Sequence, residues 1–228
     1  AIEDGRIVKA GKDDEIFSLR SDDTRVIDLK GKMVLPGFNE SHMHLLNYAY
    51  SLKKVDCSGA KSIDEIIERA KSFIKENKPK PGEWILGRGW NQILFEEKRE
   101  LTRHDLDRIS TEHPICFTRI CEHAVAANTM AIERAGVTSK TPQPLGGHFD
   151  VDEKGEPLGM FRETARYMIY EIIPDASVED MKAMLKDAAR IAAGYGVTSI
   201  QTDDFETFAS KDYQKIIKAY KELAKEGA

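Results

Sequence analysis

Apolar positions along the chain fall into two rhythms, one helical and one extended. Ile63, Ile66, Ile67, Ala70, Phe73 and Ile74 recur at three- and four-residue intervals, which places them on one helical stripe. Ser62, with Glu65 three residues on, has capping-box spacing for the start of that helix, and Pro79 and Pro81 end it. A second stripe, Met181, Met184, Leu185, Ala188, Ile191 and Ala192, predicts a long amphipathic helix. It begins near Ser177, with Asp180 three residues on, and stops at Gly194 and Gly196. Ile216, Ile217, Tyr220 and Leu223 predict a last helix over 210–226. Asn128 has the chemistry to cap a short helix through Ala135, closed by Gly136.

The extended segments come first. Residues 1–11 read as two short arms around the Asp4-Gly5 turn signal, and 25–29 and 33–35 flank Lys30-Gly31 in the same style. Residues 84–87 and 115–118 follow prolines and read as strands. Residues 197–202 read as a buried strand, and Gly146, Gly147 and Gly155 mark a loop or hairpin. The chain has no internal repeat and no low-complexity tract.

Composition narrows the class. The 228 residues are 41% hydrophobic, enough for one large domain or two small ones. With Lys plus Arg at 34 and Asp plus Glu at 39, the formal net charge is -5, which argues against nucleic acid or an anionic membrane as partner. No run approaches the roughly 20 apolar residues of a membrane span, and the start does not read as a signal peptide. Cys57, Cys116 and Cys121 lack framework spacing, so a reducing, cytoplasmic setting is expected.

The candidate chemistry centres on His42 and His44, at the end of the run Pro36-Gly37-Phe38-Asn39-Glu40-Ser41-His42-Met43-His44. Residues i and i+2 of a strand face the same way, so the two imidazoles aim at one space. Neutral imidazole suits Zn²⁺ and similar ions, and a metal so held activates water near neutral pH. Glu40 lies on the same side and is expected to orient an imidazole without binding metal. Cys116, Cys121 and His123 are candidates for a second metal site, but buried thiols on a strand and its exit loop are the favoured reading. His104 and His113 read as surface residues.

The His-x-His run resembles the first barrel strand of the amidohydrolase superfamily, with Glu40 where that pattern usually has Asp. Gly196-Val197-Thr198-Ser199-Ile200 resembles the second barrel strand, so about 150 residues separate strands that are usually close. The intervening landmarks run from Gly87-Arg88-Gly89-Trp90-Asn91 and Arg103-His104-Asp105-Leu106-Asp107 through 114–119, His123 and Asn128. Leu145-Gly146-Gly147 and the run 155–163 follow. In this order they resemble the YtcJ-like branch of amidohydrolase family 3, which includes N-substituted formamide deformylase.

The resemblance implies an α/β fold, an incomplete (β/α)8 TIM barrel with part of a flanking β-sandwich and a large α+β insertion domain. Residues 1–35 would be the partial sandwich, 36–49 the first barrel strand, 50–174 the insertion, and 175–228 a helix, the second barrel strand and a helix. An eight-stranded barrel needs about 250 residues, so the chain reads as an N-terminal piece of a roughly double-length enzyme, inactive alone. The implied cofactor is a divalent metal, zinc by preference, one or two ions, with His42 and His44 as its first ligands. Catalytic residues are expected beyond this chain. Trp90, His123, Glu163 and Asp203 are the substrate-pocket candidates, Asp203 because it ends the second barrel strand on the catalytic rim. The expected activity is hydrolysis of amide- or formamide-like, non-peptide carbon–nitrogen bonds in a small molecule, with no nucleic-acid or membrane partner and self-association left open. The rival is a non-catalytic ligand-binding or regulatory relative of the same fold.

Overall fold

A computed structural model describes residues 1–227. By contacts they form two units, Ala1–Pro36 and the remainder from Gly37. In the first unit, β1 (Ile2–Glu3) and β2 (Arg6–Ile7) form an antiparallel hairpin around the turn at Asp4 and Gly5, and α1 is the short helix Asp13–Phe17. The arms at 25–29 and 33–35, expected as strands, form none; a turn from Lys32 N–H to the Leu29 carbonyl joins them. Val26, Ile27, Met33 and Val34 are at least half exposed.

The second unit opens with β3 (Phe38–Met43) and α2 (Leu45–Ser51). There follow β4 (Val55–Asp56), α3 (Ile63–Asn77), β5 (Ile85–Trp90), α4 (Arg103–Asp107), β6 (Ile115–Arg119), β7 (Ala124–Ala127) and α5 (Thr129–Arg134). Then come β8 (Gly147–Val151), β9 (Pro157–Glu163), α6 (Tyr167–Tyr170), α7 (Val178–Gly194), β10 (Val197–Thr202) and α8 (Tyr213–Lys225). Six strands form a mixed sheet in the order β4-β5-β6-β7-β9-β8, parallel from β4 to β6 and antiparallel beyond. β3 and β10 form a separate parallel pair. The contact division keeps the segment 50–174 in the same unit as the histidine strand.

Period-two alternation builds two cores on the six-stranded sheet. Ile115, Phe117, Ala124, Ala126 and Met160 face α3 and α4, joined by Ile63, Ile66, Ile67 and Ala70. Cys116, Val125, Ala127 and Phe161 face the other way, with Ala131, Ile132 and Ile169. A third core joins Leu46 and Ala49 of α2 to Met181, Leu185 and Ala188 of α7 and to Ile216, Ala219 and Leu223 of α8.

The caps explain the helix starts. The Ser62 hydroxyl accepts from Glu65 N–H, while the Glu65 carboxylate takes the Lys61 N–H, one residue earlier than a capping box requires. Ser177 and Asp180 form the full box. Asn128 caps α5 through Ala131 N–H and also accepts from Ile115 N–H, tying α5 to β6. β10, expected to be buried, is largely exposed because its one ladder partner is β3. Gly37 is needed where it stands: a Cβ there would overlap the Thr198 side chain of β10.

Candidate metal centre and adjoining cavity

β3 ends at Met43, and His44 is already the N-cap of α2, at φ −114° and ψ 80°. The His42 and His44 ring centroids are 5.4 Å apart at an interplanar angle of 79°, and both residues are exposed. Asp203 N–H donates to the Met43 carbonyl at 3.1 Å, extending the β3–β10 ladder one residue past β10. This brings the Asp203 backbone carbonyl against His44 Nδ1. A carbonyl oxygen only accepts, so in the neutral ring this contact selects the tautomer with the proton on Nδ1 and the lone pair on Nε2. That tautomer is the one a metal ligand needs.

Glu40 does something different from what the pattern predicts. Its carboxylate accepts the His42 backbone N–H at 3.0 Å and touches neither imidazole. Two residues of strand separate them, so the short loop back to the backbone wins over the reach to the ring.

One charged residue at this corner had no reading in sequence. Asp204 is buried at 3% exposure. Its Oδ1 accepts from Leu46 N–H at 2.9 Å and Asn47 N–H at 3.3 Å, and its Oδ2 from the Thr202 hydroxyl at 2.7 Å and the Tyr220 hydroxyl at 2.6 Å. Thr202 Oγ1 in turn accepts Leu45 N–H at 2.9 Å. The first amides of α2 are thus capped from β10, by a carboxylate placed where the helix dipole favours it. Tyr220 has its phenol pushed well above the usual range, first by burial and then by the Asp204 carboxylate beside it. The sequence signal was the pair Asp203-Asp204 at a strand end, and a tyrosine inside an apolar stripe.

A cavity of about 380 Å³ lies between α2, the β5–β6 strands, α6 and the loop after β10. Its lining includes Asn47, Tyr50, Lys54, Cys116, Arg166 and Tyr170. Burial raises the Tyr50 and Tyr170 phenols, pushes the Cys116 thiol up to about 12 and lowers Lys54 to about 8.

The four pocket candidates separate. Trp90 walls no cavity: it is fully buried, its indole Nε1–H donates to the Phe117 carbonyl at 2.9 Å, and its ring stacks near Phe95. The Gly-rich run around it is a strand with a bulge, where Gly89 takes φ +90°. His123 and Glu163 meet at the β7–β9 end of the sheet, Nδ1 to carboxylate 3.8 Å, and Glu163 N–H donates to the His123 carbonyl. Both side chains are more than half exposed, and neither lines the cavity, although Glu122 and Arg166 beside them do. Asp203 sits at the His44 corner and acts there through its backbone. Cys116, Cys121 and His123 do not assemble into a metal site. Among the described residues no cluster of three or more His, Cys, Asp or Glu is placed to hold an ion; Cys116 is buried in the sheet and Cys121 exposed. His113, expected on the surface, is buried, with Nδ1 3.1 Å from the Glu83 carbonyl. No helix among the described residues is long and apolar enough to cross a membrane.

Comparison with known proteins places this geometry. The chain is 33% identical over 227 residues to "Putative amidohydrolase YtcJ" of Bacillus subtilis, covering 99% of this chain and 42% of that protein. It is 33% identical over 168 residues to N-substituted formamide deformylase of Arthrobacter pascens, covering 73% of this chain and 31% of the relative. Among solved structures, an uncharacterized metal-dependent hydrolase from Pyrococcus furiosus superposes with a TM-score of 0.70 at 32% identity, over 99% of this chain and 43% of that one. The chain therefore spans less than half the length of the relatives it matches. Residues 25–227 match the amidohydrolase family, and they include the His42–His44 strand, its β10 partner and the cavity walls: the chain belongs to the amidohydrolase family.

Proposed function

We propose that the whole protein to which this chain belongs is a metal-dependent hydrolase of carbon–nitrogen bonds, amide- or formamide-like and non-peptide. The observation that carries this is the His42–His44 corner, two imidazoles side by side, one fixed by a backbone carbonyl in the tautomer that frees Nε2. Two imidazole nitrogens suit a divalent ion, zinc by preference, and make half of a tetrahedral donor set. When bound, such an ion supplies Lewis-acid activation of water and of the scissile carbonyl.

The chain's own residues supply position. Asp203 orients the His44 ring, Asp204 and Thr202 hold the helix that begins beside it, and Glu40 holds the His42 backbone. In this reading β3 and β10 are the first two strands of a (β/α)8 barrel, and 50–174 is an insertion whose sheet walls the substrate cavity. TIM-barrel sites lie at the carboxyl ends of the strands, and the His44 corner is the carboxyl end of β3. The 228-residue chain by itself turns over no substrate, because half a donor set binds metal weakly.

The test uses the full-length protein. Metal content by elemental analysis falls sharply in the double variant His42→Ala, His44→Ala, and with it turnover of N-substituted formamides and simple acyl amides. Unchanged metal stoichiometry defeats the site assignment. Metal that is bound at His42 and His44 without hydrolysis of either substrate set favours a non-catalytic, ligand-binding relative.

A further inference from the structure

We propose that the 380 Å³ cavity is a recognition site for a small organic carboxylate with an aromatic or extended apolar body, held by Lys54 and Arg166. The argument begins with charge. Of the four cations on the lining, Lys211 is paired with Glu206 at 2.8 Å and Arg88 approaches Glu122 at 4.0 Å. Lys54 and Arg166 have no carboxylate within 4.0 Å among the described residues. Lys54 Nζ makes no hydrogen bond there either; it lies 4.0 Å from the Tyr50 ring centroid. Arg166 donates to the Glu122 carbonyl and to the Tyr167 hydroxyl at 3.3 Å, both uncharged, and its Nε is buried without a partner.

A half-buried ammonium without a counter-ion is costly to keep charged. Burial accordingly lowers Lys54 to about 8, which leaves it cationic at neutral pH and poised to gain from an incoming anion. Asp175, the third acid on the lining, accepts the Ser210 hydroxyl and lies by Tyr50. Leu86, Ile173, Pro174 and Phe208 with the Tyr50 and Tyr170 rings give the lining an apolar and aromatic part, and Asn47, Thr118 and Thr207 add uncharged polar groups. A cavity of this size, with two cations free of carboxylates, three acids on its wall and an aromatic part, suits a small carboxylate over a polyanion.

This deepens the hydrolase reading, in which the same cavity receives the substrate, and rests on it; it is measured without metal or turnover, so the two fail separately. The experiment is calorimetric titration of the EDTA-treated chain with phenylacetate, phenylacetamide and inorganic phosphate. A charge-assisted hydrogen bond contributes about 1.5–3 kcal/mol, so phenylacetate should bind about ten- to a hundredfold tighter than its neutral amide. Lys54→Met should erase most of that preference and Lys54→Arg should retain it. Affinity for phenylacetate should weaken as pH rises past about 8. Of the other groups around Lys54, burial pushes the Cys116 thiol and the Tyr50 phenol far above that range, and Arg88 and Glu122 are its charged neighbours. Circular dichroism checks that the variants are folded; if Lys54→Met is not, the pH profile and the acid-to-amide ratio of the unaltered chain still decide. Equal affinity for acid and amide, an unchanged Lys54→Met, or tighter binding of phosphate overturns the proposal.

Discussion

Replacing Asp204 tests whether the corner that carries His44 is held from β10. The carboxylate is nearly inaccessible and accepts four hydrogen bonds, two from amides of α2 and two from the Thr202 and Tyr220 hydroxyls. A helix cap contributes about 0.5–2 kcal/mol, and a buried hydrogen bond to a charged group about 1.5–3 kcal/mol. These overlap, because the same oxygens serve both purposes. Asp204→Ala, which strands all four donors, should therefore cost about 3–5 kcal/mol. Asp204→Asn keeps one acceptor for the amides and turns a donor toward the two hydroxyls, for a loss of about 1–2 kcal/mol. Tyr220→Phe removes one donor, and its coupling to Asp204→Asn should fall within about 0.5–3 kcal/mol in a double-mutant cycle. Guanidinium unfolding followed by circular dichroism gives the energies, and hydrogen exchange at Leu46 and Asn47 gives the location. In the full-length protein the same Asn variant should weaken metal binding about tenfold or more, as loss of a supporting shell does. If Asp204→Asn shifts stability by less than about 0.5 kcal/mol and leaves both amides as protected as before, the trans cap is not what holds α2.

Trp90→Phe should lose about 2–3 kcal/mol of stability in urea, for the lost indole bond to Phe117 and the space left beside Phe95; an unchanged midpoint would mean that the bond contributes nothing. Lys54 has its folded pKa lowered from 10.5 to about 8, so between those values the unfolded chain binds more protons and this lysine makes stability rise with pH. Cys57 and Cys116, pushed up from 9.0 to about 12, act in the opposite sense above about 9 but are common to both proteins. The stability of wild type relative to Lys54→Met should therefore grow between pH 7.5 and pH 10 in denaturant melts, and a constant difference would contradict a buried, charged Lys54. The β3–β10 pair has two unpaired outer edges and leaves Phe38 at 54% exposure. Such edges invite another chain, so light scattering after size exclusion should find the 228-residue chain self-associated; a monodisperse monomer would refute this.

The elements that depend on local chemistry were legible in the residues. Ser62, Asn128 and Ser177 announce their helices because a cap is a short-range bond, and the stripes on α3 and α7 announce which faces are buried. What depends on distant neighbours was not. The arms at 25–29 and 33–35 have strand composition but no ladder. The run 197–202 has the composition of a buried strand, yet exposure is decided by how many strands flank it. Trp90 was a pocket candidate, whereas Gly87 lies so close to Phe117 that a Cβ would come within 2.6 Å of the ring, which packs β5 onto β6 and buries Trp90 in the core. Asp204 escaped notice because its partners, Leu46 and Asn47, lie 158 and 157 residues away.

The histidine pair shows the same division within one motif. Alternation along a strand predicts that His42 and His44 point together, and their rings do lie side by side. The strand has ended before His44, however, so alternation alone does not fix its ring. The ladder continues by one bond, Asp203 to Met43, and that bond delivers a carbonyl to Nδ1. Among the described residues His42 has no such partner on its ring; its constraint is on the backbone, from Glu40. One imidazole is thus fixed in tautomer and direction while the other is fixed only in position. A metal site built on this pair would take its orientation from His44, and the residue that sets it, Asp203, directly follows β10. The second strand is then part of the metal centre through its backbone, and the chemistry of Asp203 that matters there is its carbonyl and not its carboxylate.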